Sequence, residues 1–311
     1  MPRERYIAMP DIGKGLGLAF ITAIAWTFWS ILSDIVVSIN SHTAILYLTI
    51  IEIAVALIST MISIIYIFLL GRKITSEDRR LVKYPVISGI CFGIGTIIYF
   101  SLIGNQNYPL VSSFQFGYIV VLALLINRIK QEQLKRKYLL GSILVVAGFV
   151  LQSSALIQSN TSGSIAGVLL LSIALLVLYA IGFYSSFYYA YGKMQIPVAG
   201  PIVVGMILGT TVIYGLATNA YSSFGLVKFS GVGLSLVIAV MIVLAYYSEQ
   251  FSYRLLRDAK AKFLNLSNII SNLELVGVTL YSVFFLSISY PLLIIGLVVT
   301  FAGVLIVAIS E

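Results

Sequence analysis

The chain consists of long apolar runs separated by short links, and nearly all of its positive charge is gathered in those links. A bilayer core of about 30 Å takes about 20 helical residues to cross. A segment inside it must satisfy its backbone hydrogen bonds internally, which favours helices. Measured this way, the 311 residues predict ten spans: 15–38, 44–70, 85–104, 109–126, 137–157, 163–190, 198–219, 231–254, 260–285 and 291–309. Pro85, Pro109, Pro197 and Pro291 stand at or just before starts, where a missing N–H removes no hydrogen bond. The predicted fold is therefore an all-α integral membrane protein.

Composition excludes the main competitors. The chain is 60% hydrophobic and 10% charged, with mean hydropathy +1.05. Soluble domains sit nearer about 45–50% apolar and about 25% charged. A soluble enzyme, a nucleic-acid binder and a disordered scaffold are ruled out on that ground. A single cysteine, Cys91, allows neither an intrachain disulfide nor a cysteine metal cluster, and in its apolar run it reads as a small buried filler. His42 has no second histidine or cysteine partner, so no metal site and no cofactor is expected. Residues 1–14 read as a cytoplasmic tail, and the apolar stretch after them is too long for a cleaved signal peptide.

The net charge of +8 gains its meaning from its placement. With the N-terminus inside, 18 of the 19 Lys and Arg residues fall on one side, and only Lys228 falls on the other. That asymmetry predicts cytoplasmic N- and C-termini in the cell membrane, and it requires an even number of spans. The cationic links report orientation and contact with anionic lipid, and no nucleic-acid partner is needed to explain them.

Residues 141–148, GSILVVAG, align with 296–303, GLVVTFAG, at an offset of 155, about half the chain. Gly141 falls on Gly296, Ala147-Gly148 on Ala302-Gly303, and Ser112 on Ser267. The chain is read as two five-helix repeats, 15–157 and 158–311, and an odd number of spans per half makes them inverted. Glycine at this spacing also lets two helices pack closely, and the same is expected of Gly89, Gly93, Gly95, Gly205 and Gly209.

Five plus five spans, the terminal IGLVVTFAGVLIVA and the sixth span GVLLLSIALLVLYAIGFYSSFYYAYGK resemble the drug/metabolite transporter superfamily, in its EamA-type branch. Glu132 before YLLGSILVVAG resembles the acidic residue that precedes that family's fifth span. The sequence departs from the pattern in lacking prolines near 115–117 and at Asn272, and in lacking a Glu132 counterpart before Pro291. The resemblance implies alternating access around a central cavity lined mainly by spans one, three, four, six, eight and nine, with span two at the periphery. The implied activity is secondary transport of small organic metabolites, such as amino acids or related amphipathic solutes, with a proton as candidate coupling ion.

An ionisable side chain within a span costs about 2.5–3.5 kcal/mol on insertion scales, so each one needs a reason. Asp34, Glu52, Glu249 and Glu274 are the cases, and no Lys or Arg lies deep in any span. Glu274 falls near the middle of span nine. Ser267, Ser271 and Glu274 share one helical face, and Asn265, Asn268 and Asn272 form an adjoining stripe. That face predicts cavity lining or interhelical hydrogen bonds, with Glu274 as the leading coupling candidate.

Glu249, beside Tyr246 and Gln250, is the second coupling candidate, weighed against an interfacial ion pair with Arg254 or Arg257. Glu52 reads as a packing or lateral hydrogen-bond group and Asp34 as a residue hydrated from outside. Further cavity candidates are Trp26 and Ser30 in span one, Tyr99 in span three, Gln115 and Tyr118 in span four, and Tyr179 and Tyr184 in span six. Tyr188 to Tyr191 read as interfacial anchors.

The chain has no HExxH, GxSxG or Walker loop, so an enzyme is not expected and transport would draw on a gradient. Rival readings are a nucleotide-sugar or lipid-linked-sugar carrier, a membrane-embedded enzyme using Glu249 and Glu274, and a non-transporting receptor or assembly protein. Asn160-Thr161-Ser162 is a glycosylation sequon in a predicted external link, and monomer and homodimer both stay open.

Overall fold

Long apolar runs leave the backbone to bond with itself, and the computed structural model is predominantly helical, with no strand among its described residues. It describes residues 9–39, 43–103, 117–131, 136–158, 165–285 and 291–309. The first half holds α1 (Met9–Ile39), α2 (Ala44–Ile64), the short α3 (Ser76–Leu81), α4 (Lys83–Ile103), α5 (Gly117–Lys130) and α6 (Arg136–Gln158). The second holds α7 (Ile165–Tyr191), α8 (Ile196–Ala217), α9 (Phe229–Leu256), α10 (Ala261–Ser271), α11 (Glu274–Phe285) and α12 (Pro291–Ile309). A π-helical turn, Ile65–Leu69, prolongs α2.

Among the described residues, six segments are long and apolar enough to cross a membrane: Asp11–Ser38, Ala44–Leu69, Lys83–Ser101, Leu169–Tyr191, Ile196–Ala217 and Phe229–Leu256. Pro291–Val307 is a shorter apolar helix. The outward faces match, since Leu57, Met61 and Phe68 on α2 and Leu139, Ile143, Val146 and Val150 on α6 are exposed apolar side chains. Such stripes suit hydrocarbon and would be a liability in water. The chain is a multi-pass, all-α membrane protein. Gln115, Ser112, Pro109, Glu132, Asn160 and His42 lie outside the described residues.

The ninth predicted segment differs from the expected single helix. α10 ends at Ser271 and α11 begins at Glu274. At the break the backbone tightens, with the Leu273 N–H donating to Ile270 O at 3.0 Å and the Val276 N–H to Leu273 O at 3.0 Å. Asn272 supplies the local reason: its Nδ2 donates to Asn268 O at 2.5 Å, occupying a carbonyl of the last turn.

Close packing depends on small residues. α6 and α12 run antiparallel, and a Cβ built on Gly141 would stand 2.6 Å from Gly303 O, as one on Gly303 would from Gly141 O. One turn-pair along, a Cβ on Gly148 would stand 2.6 Å from Gly296 O, and one on Gly296 2.8 Å from Gly148 O. Gln152 Nε2 donates across the same seam to Thr300 Oγ1 at 3.0 Å. Elsewhere α1 packs on α9 and α4 on α7; α2 packs on α9 and α4 on α8. Gly89 and Gly93 of α4 meet α8 at Val203 and Thr210, and Gly95 faces Tyr179. Gly205 and Gly209 do not carry that contact, contrary to expectation, because nothing lies within 4 Å of a Cβ on either. Val203, Ile207 and Thr210 form the face of α8 that meets α4, and residues 205 and 209 point away from it.

The two ends of the bundle are closed differently. At one end the Tyr47 hydroxyl accepts from the Lys228 N–H at 2.9 Å, and Tyr221 reaches Thr49 at 3.2 Å. At the other, Thr75 and Asp78 form a capping box. Asp78 Oδ1 also accepts from the Gln195 N–H at 2.7 Å, tying the link after α2 to the link before α8. Gln195 Nε2 donates to Lys73 O at 2.8 Å, and Arg254 Nη1 to Met194 O at 3.0 Å.

Gly148→Ala and Gly303→Ala are expected to lower stability in detergent by about 1–3 kcal/mol through overpacking. Gly205→Ala and Gly209→Ala are expected to be neutral or to gain up to about 1 kcal/mol from helix propensity. Thermal unfolding of the four purified variants checks both halves of the expectation.

Candidate functional site

Helices from both halves enclose a cavity of about 1150 Å3 of empty space, its mouth included. Its walls are mainly apolar and aromatic, with a few polar groups placed among them, which is the usual makeup of a small-molecule site. α1 contributes Trp26 and Trp29, three residues apart and therefore on one face, with ring centroids 5.2 Å apart and edge-on. α5 contributes Tyr118 and α7 Phe183, whose rings stack at 4.3 Å. Tyr179 of α7 and Phe92 of α4 complete the aromatic wall in an edge-on pair at 5.9 Å.

Three carboxylic residues reach the same cavity from three elements: Glu52 on α2, Glu249 on α9 and Glu274 at the start of α11. All three side chains are buried. The Ser30 hydroxyl donates to Glu274 Oε1, so α1 orients this carboxyl. Thr211 Oγ1 on α8 donates to Glu52 Oε1 at 2.9 Å, leaving Glu52 Oε2 without a partner.

Glu249 belongs to a chain of hydrogen bonds. The Tyr253 hydroxyl lies 2.8 Å from Glu249 Oε1 and 2.6 Å from the Asn268 side-chain amide. A phenol carries one hydrogen, so it donates to only one of them. It donates to one and accepts from the other, and so bridges the Glu249 carboxyl to the Asn268 amide. Tyr246, also in the wall, shares a hydrogen bond with the buried Tyr189. The Tyr118 hydroxyl donates to Asn272 Oδ1 at 2.8 Å, holding α5 against the helix break.

Of the residues singled out from the sequence, Trp26, Tyr118, Tyr179, Tyr246, Glu249, Gln250, Ser271, Asn272 and Glu274 line this cavity. Ser30 and Asn268 stand behind the wall, bonded to Glu274 and Tyr253. Tyr99 stacks behind Trp29 at 5.1 Å, and Tyr184 packs against Tyr188 at 6.1 Å, so neither belongs to the lining. Gln115 lies outside the described residues. The polar stripe of the ninth segment divides by depth: Asn265 bonds Asn127, Ser267 bonds Ser252, and only Ser271, Asn272 and Glu274 reach the cavity.

Three expectations change. The ion pair between Glu249 and Arg254 or Arg257 does not form: Arg254 donates to Met194 O, and Arg257 lies 3.4 Å from Asp258. Tyr189 is no interfacial anchor, being fully buried against Tyr246. Glu52 makes the lateral hydrogen bond expected of it, to Thr211, but it also lines the cavity, because α2 packs between α8 and α9. The i, i+3 spacing of Trp26 and Trp29 was a usable signal for the second tryptophan. Glu52 stood out as a carboxyl within a span, but nothing local placed it at the cavity, and its partner Thr211 is 159 residues away.

No family model matches the chain, and no curated protein matches its sequence. Among solved structures, one described only as "Crystal structure of protein" superposes with a TM-score of 0.59, covering 94% of this chain and 96% of that chain at 14% identity. That likeness is one of fold.

Tyr253→Phe removes the hydroxyl that serves Glu249 and is expected to destabilise the protein by about 1–3 kcal/mol, the cost of stranding a buried polar group. Thermal unfolding beside wild type measures it, and an unchanged midpoint would show that water replaces the phenol.

Proposed function

We propose that the chain is a secondary active transporter that moves small organic metabolites across the cytoplasmic membrane by alternating access, with a proton as the candidate coupling ion. The observation that carries this reading is the exchange symmetry of the packing around the cavity. Gly141 meets Gly303 and Gly148 meets Gly296, where the sequence repeat equates Gly141 with Gly296 and Gly148 with Gly303. Each contact maps onto the other when the halves are swapped. The contact of α1 with α9 maps likewise onto that of α7 with α4, and α2 with α9 onto α8 with α4.

This pattern supports two inverted five-helix repeats and ten spans, with 18 of 19 cations favouring cytoplasmic termini. Rocking one repeat against the other around a site between them is how such folds alternate access. The interrupted helix at Asn272 beside the cavity is a further feature of transporter sites.

The reading places the chain in the drug/metabolite transporter superfamily, in its EamA-type branch. A nucleotide-sugar or lipid-linked-sugar carrier is disfavoured, since phosphate groups call for cationic partners and no Lys, Arg or His is found in the cavity wall among the described residues. The convergence of Glu249 and Glu274 is what an embedded acid–base enzyme would also need. Solute turnover without flux would favour that second reading.

Counterflow in proteoliposomes over a solute panel tests the proposal, and the expected result is solute-dependent exchange that protein-free vesicles lack. Glu274 is faced by Ser30 and lies within electrostatic range of Glu249 and Tyr118. Glu274→Gln is expected to abolish the pH dependence of transport at unchanged folded yield; retained pH dependence would remove Glu274 from the mechanism. In a Cys91→Ser background, a cysteine at Ser222 is expected to react with an impermeant thiol reagent in intact cells. One at Glu77 is expected to react only after lysis.

A further inference from the structure

We infer that the cavity selects organic cations, namely amines whose ammonium group is held by the acidic wall and whose apolar body lies on the aromatic one. The inference rests on the transporter reading for its biological sense and deepens it by naming the charge class of the solute.

The first argument is the sign of the wall. Glu52, Glu249 and Glu274 supply three carboxyls, and no Lys, Arg or His lines the cavity among the described residues. The sequence places no Lys or Arg deep within the predicted spans, so a countercharge does not come from elsewhere in the bundle. Glu249 and Glu274 line the same space, so a cation bound there favours the charged form of both carboxyls and gains their attraction.

The second argument is independent of charge count and concerns unmet hydrogen bonding. Glu52 is 4% exposed and its Oε2 has no partner, while Thr211 holds the other oxygen and so fixes the carboxyl in the cavity wall. Gln250 is 1% exposed, lines the same space, and leaves its Oε1 unpartnered. As a carboxylate Glu52 presents Oε2 as an acceptor beside the Gln250 amide oxygen, and a buried acceptor without a donor costs about 1–3 kcal/mol. An ammonium group brings up to three donors and no acceptor, which is the complement of this wall. A carboxylate brings acceptors only, and would meet like charge.

The third argument is the aromatic part of the lining. The stacked pair Tyr118 and Phe183 and the edge-on pair Trp26 and Trp29 present ring faces and edges to the same space. Aromatic faces attract cations, most strongly where water is excluded, and they also receive the apolar body of the solute. A zwitterionic amino acid would place its ammonium as well as a simple amine does. Its carboxylate would find no cationic side chain in the described wall.

Three compounds sharing a phenyl ring and a short spacer isolate the charge: phenethylamine, phenylalanine and 3-phenylpropanoate. Titration calorimetry on the purified full chain in detergent is expected to show phenethylamine binding at least tenfold tighter than phenylalanine, with no heat from 3-phenylpropanoate. Glu52→Gln is expected to weaken phenethylamine at least tenfold while the protein stays monodisperse. Should that variant fail to fold, the wild-type ranking of the three compounds decides alone. Phenethylamine failing to bind, or either other compound matching it, overturns the inference.

Counterflow of labelled phenethylamine in proteoliposomes separates this inference from the reading beneath it. Binding without flux overturns transport and upholds cation selection. Flux that prefers phenylalanine or 3-phenylpropanoate upholds transport and overturns cation selection.

Discussion

Hydrocarbon offers no hydrogen bonds, and the arrangement of polar side chains in this molecule follows from that fact. Each hydroxyl, amide or carboxyl carried into the membrane must meet a protein partner or share a wetted space. Thr22 meets Ser248 at 2.8 Å, Ser88 meets Ser186 at 2.7 Å, and Ser252 meets Ser267 at 2.8 Å, so short polar residues join neighbouring helices in pairs. Glu52, Glu249 and Glu274 are too polar to be matched by one hydroxyl each, and they collect instead around the cavity. The aromatic side chains that share this lining tolerate both apolar and cationic neighbours.

The same medium explains the role of glycine. Lipid tails compete with leucine for contact, so apolar burial does little to drive helix association within a membrane. Helices instead gain from close approach of their backbones. Gly141, Gly148, Gly296 and Gly303 let α6 and α12 approach until carbonyls stand where a β-carbon would otherwise sit. Gly89, Gly93 and Gly95 do the same for α4 against α8 and α7. The seam of α6 with α12 contributes no residue to the cavity lining, so packing and ligand chemistry are divided between different helices.

How much of this was legible beforehand depended on the range over which each signal acts. Helical runs, the charge asymmetry and the Gly141–Gly148 repeat are local or periodic, and they can be read directly. Glu249 and Glu274 drew notice because a carboxyl in an apolar run is conspicuous, and the cavity includes both. Glu52 was equally conspicuous but was given a lateral role, because placing α2 depends on which helices it packs against. The break at Asn272 was masked by a continuous apolar–polar pattern, since an asparagine side chain bonding back to Asn268 O leaves no trace in hydropathy. Gly205 and Gly209 looked like packing residues by spacing alone, and only the facing of α8 shows that Val203, Ile207 and Thr210 make the contact.

The clamp around Asp78 has a thermodynamic consequence. Its bonds, from the Gln195 N–H and Nε2 to Asp78 and from Arg254 to Met194 O, join links and helix ends, where water would take over the same groups once they part. A hydrogen bond exchanged for water changes the free energy by about 0.5–1.5 kcal/mol. Separating α6 from α12 would forfeit dense van der Waals contact with no solvent able to replace it. The molecule thus has a hydration-sensitive closure at one end and a hydration-indifferent seam in its body. Osmotic stress, which acts on groups that gain water, would shift the first and leave the second untouched.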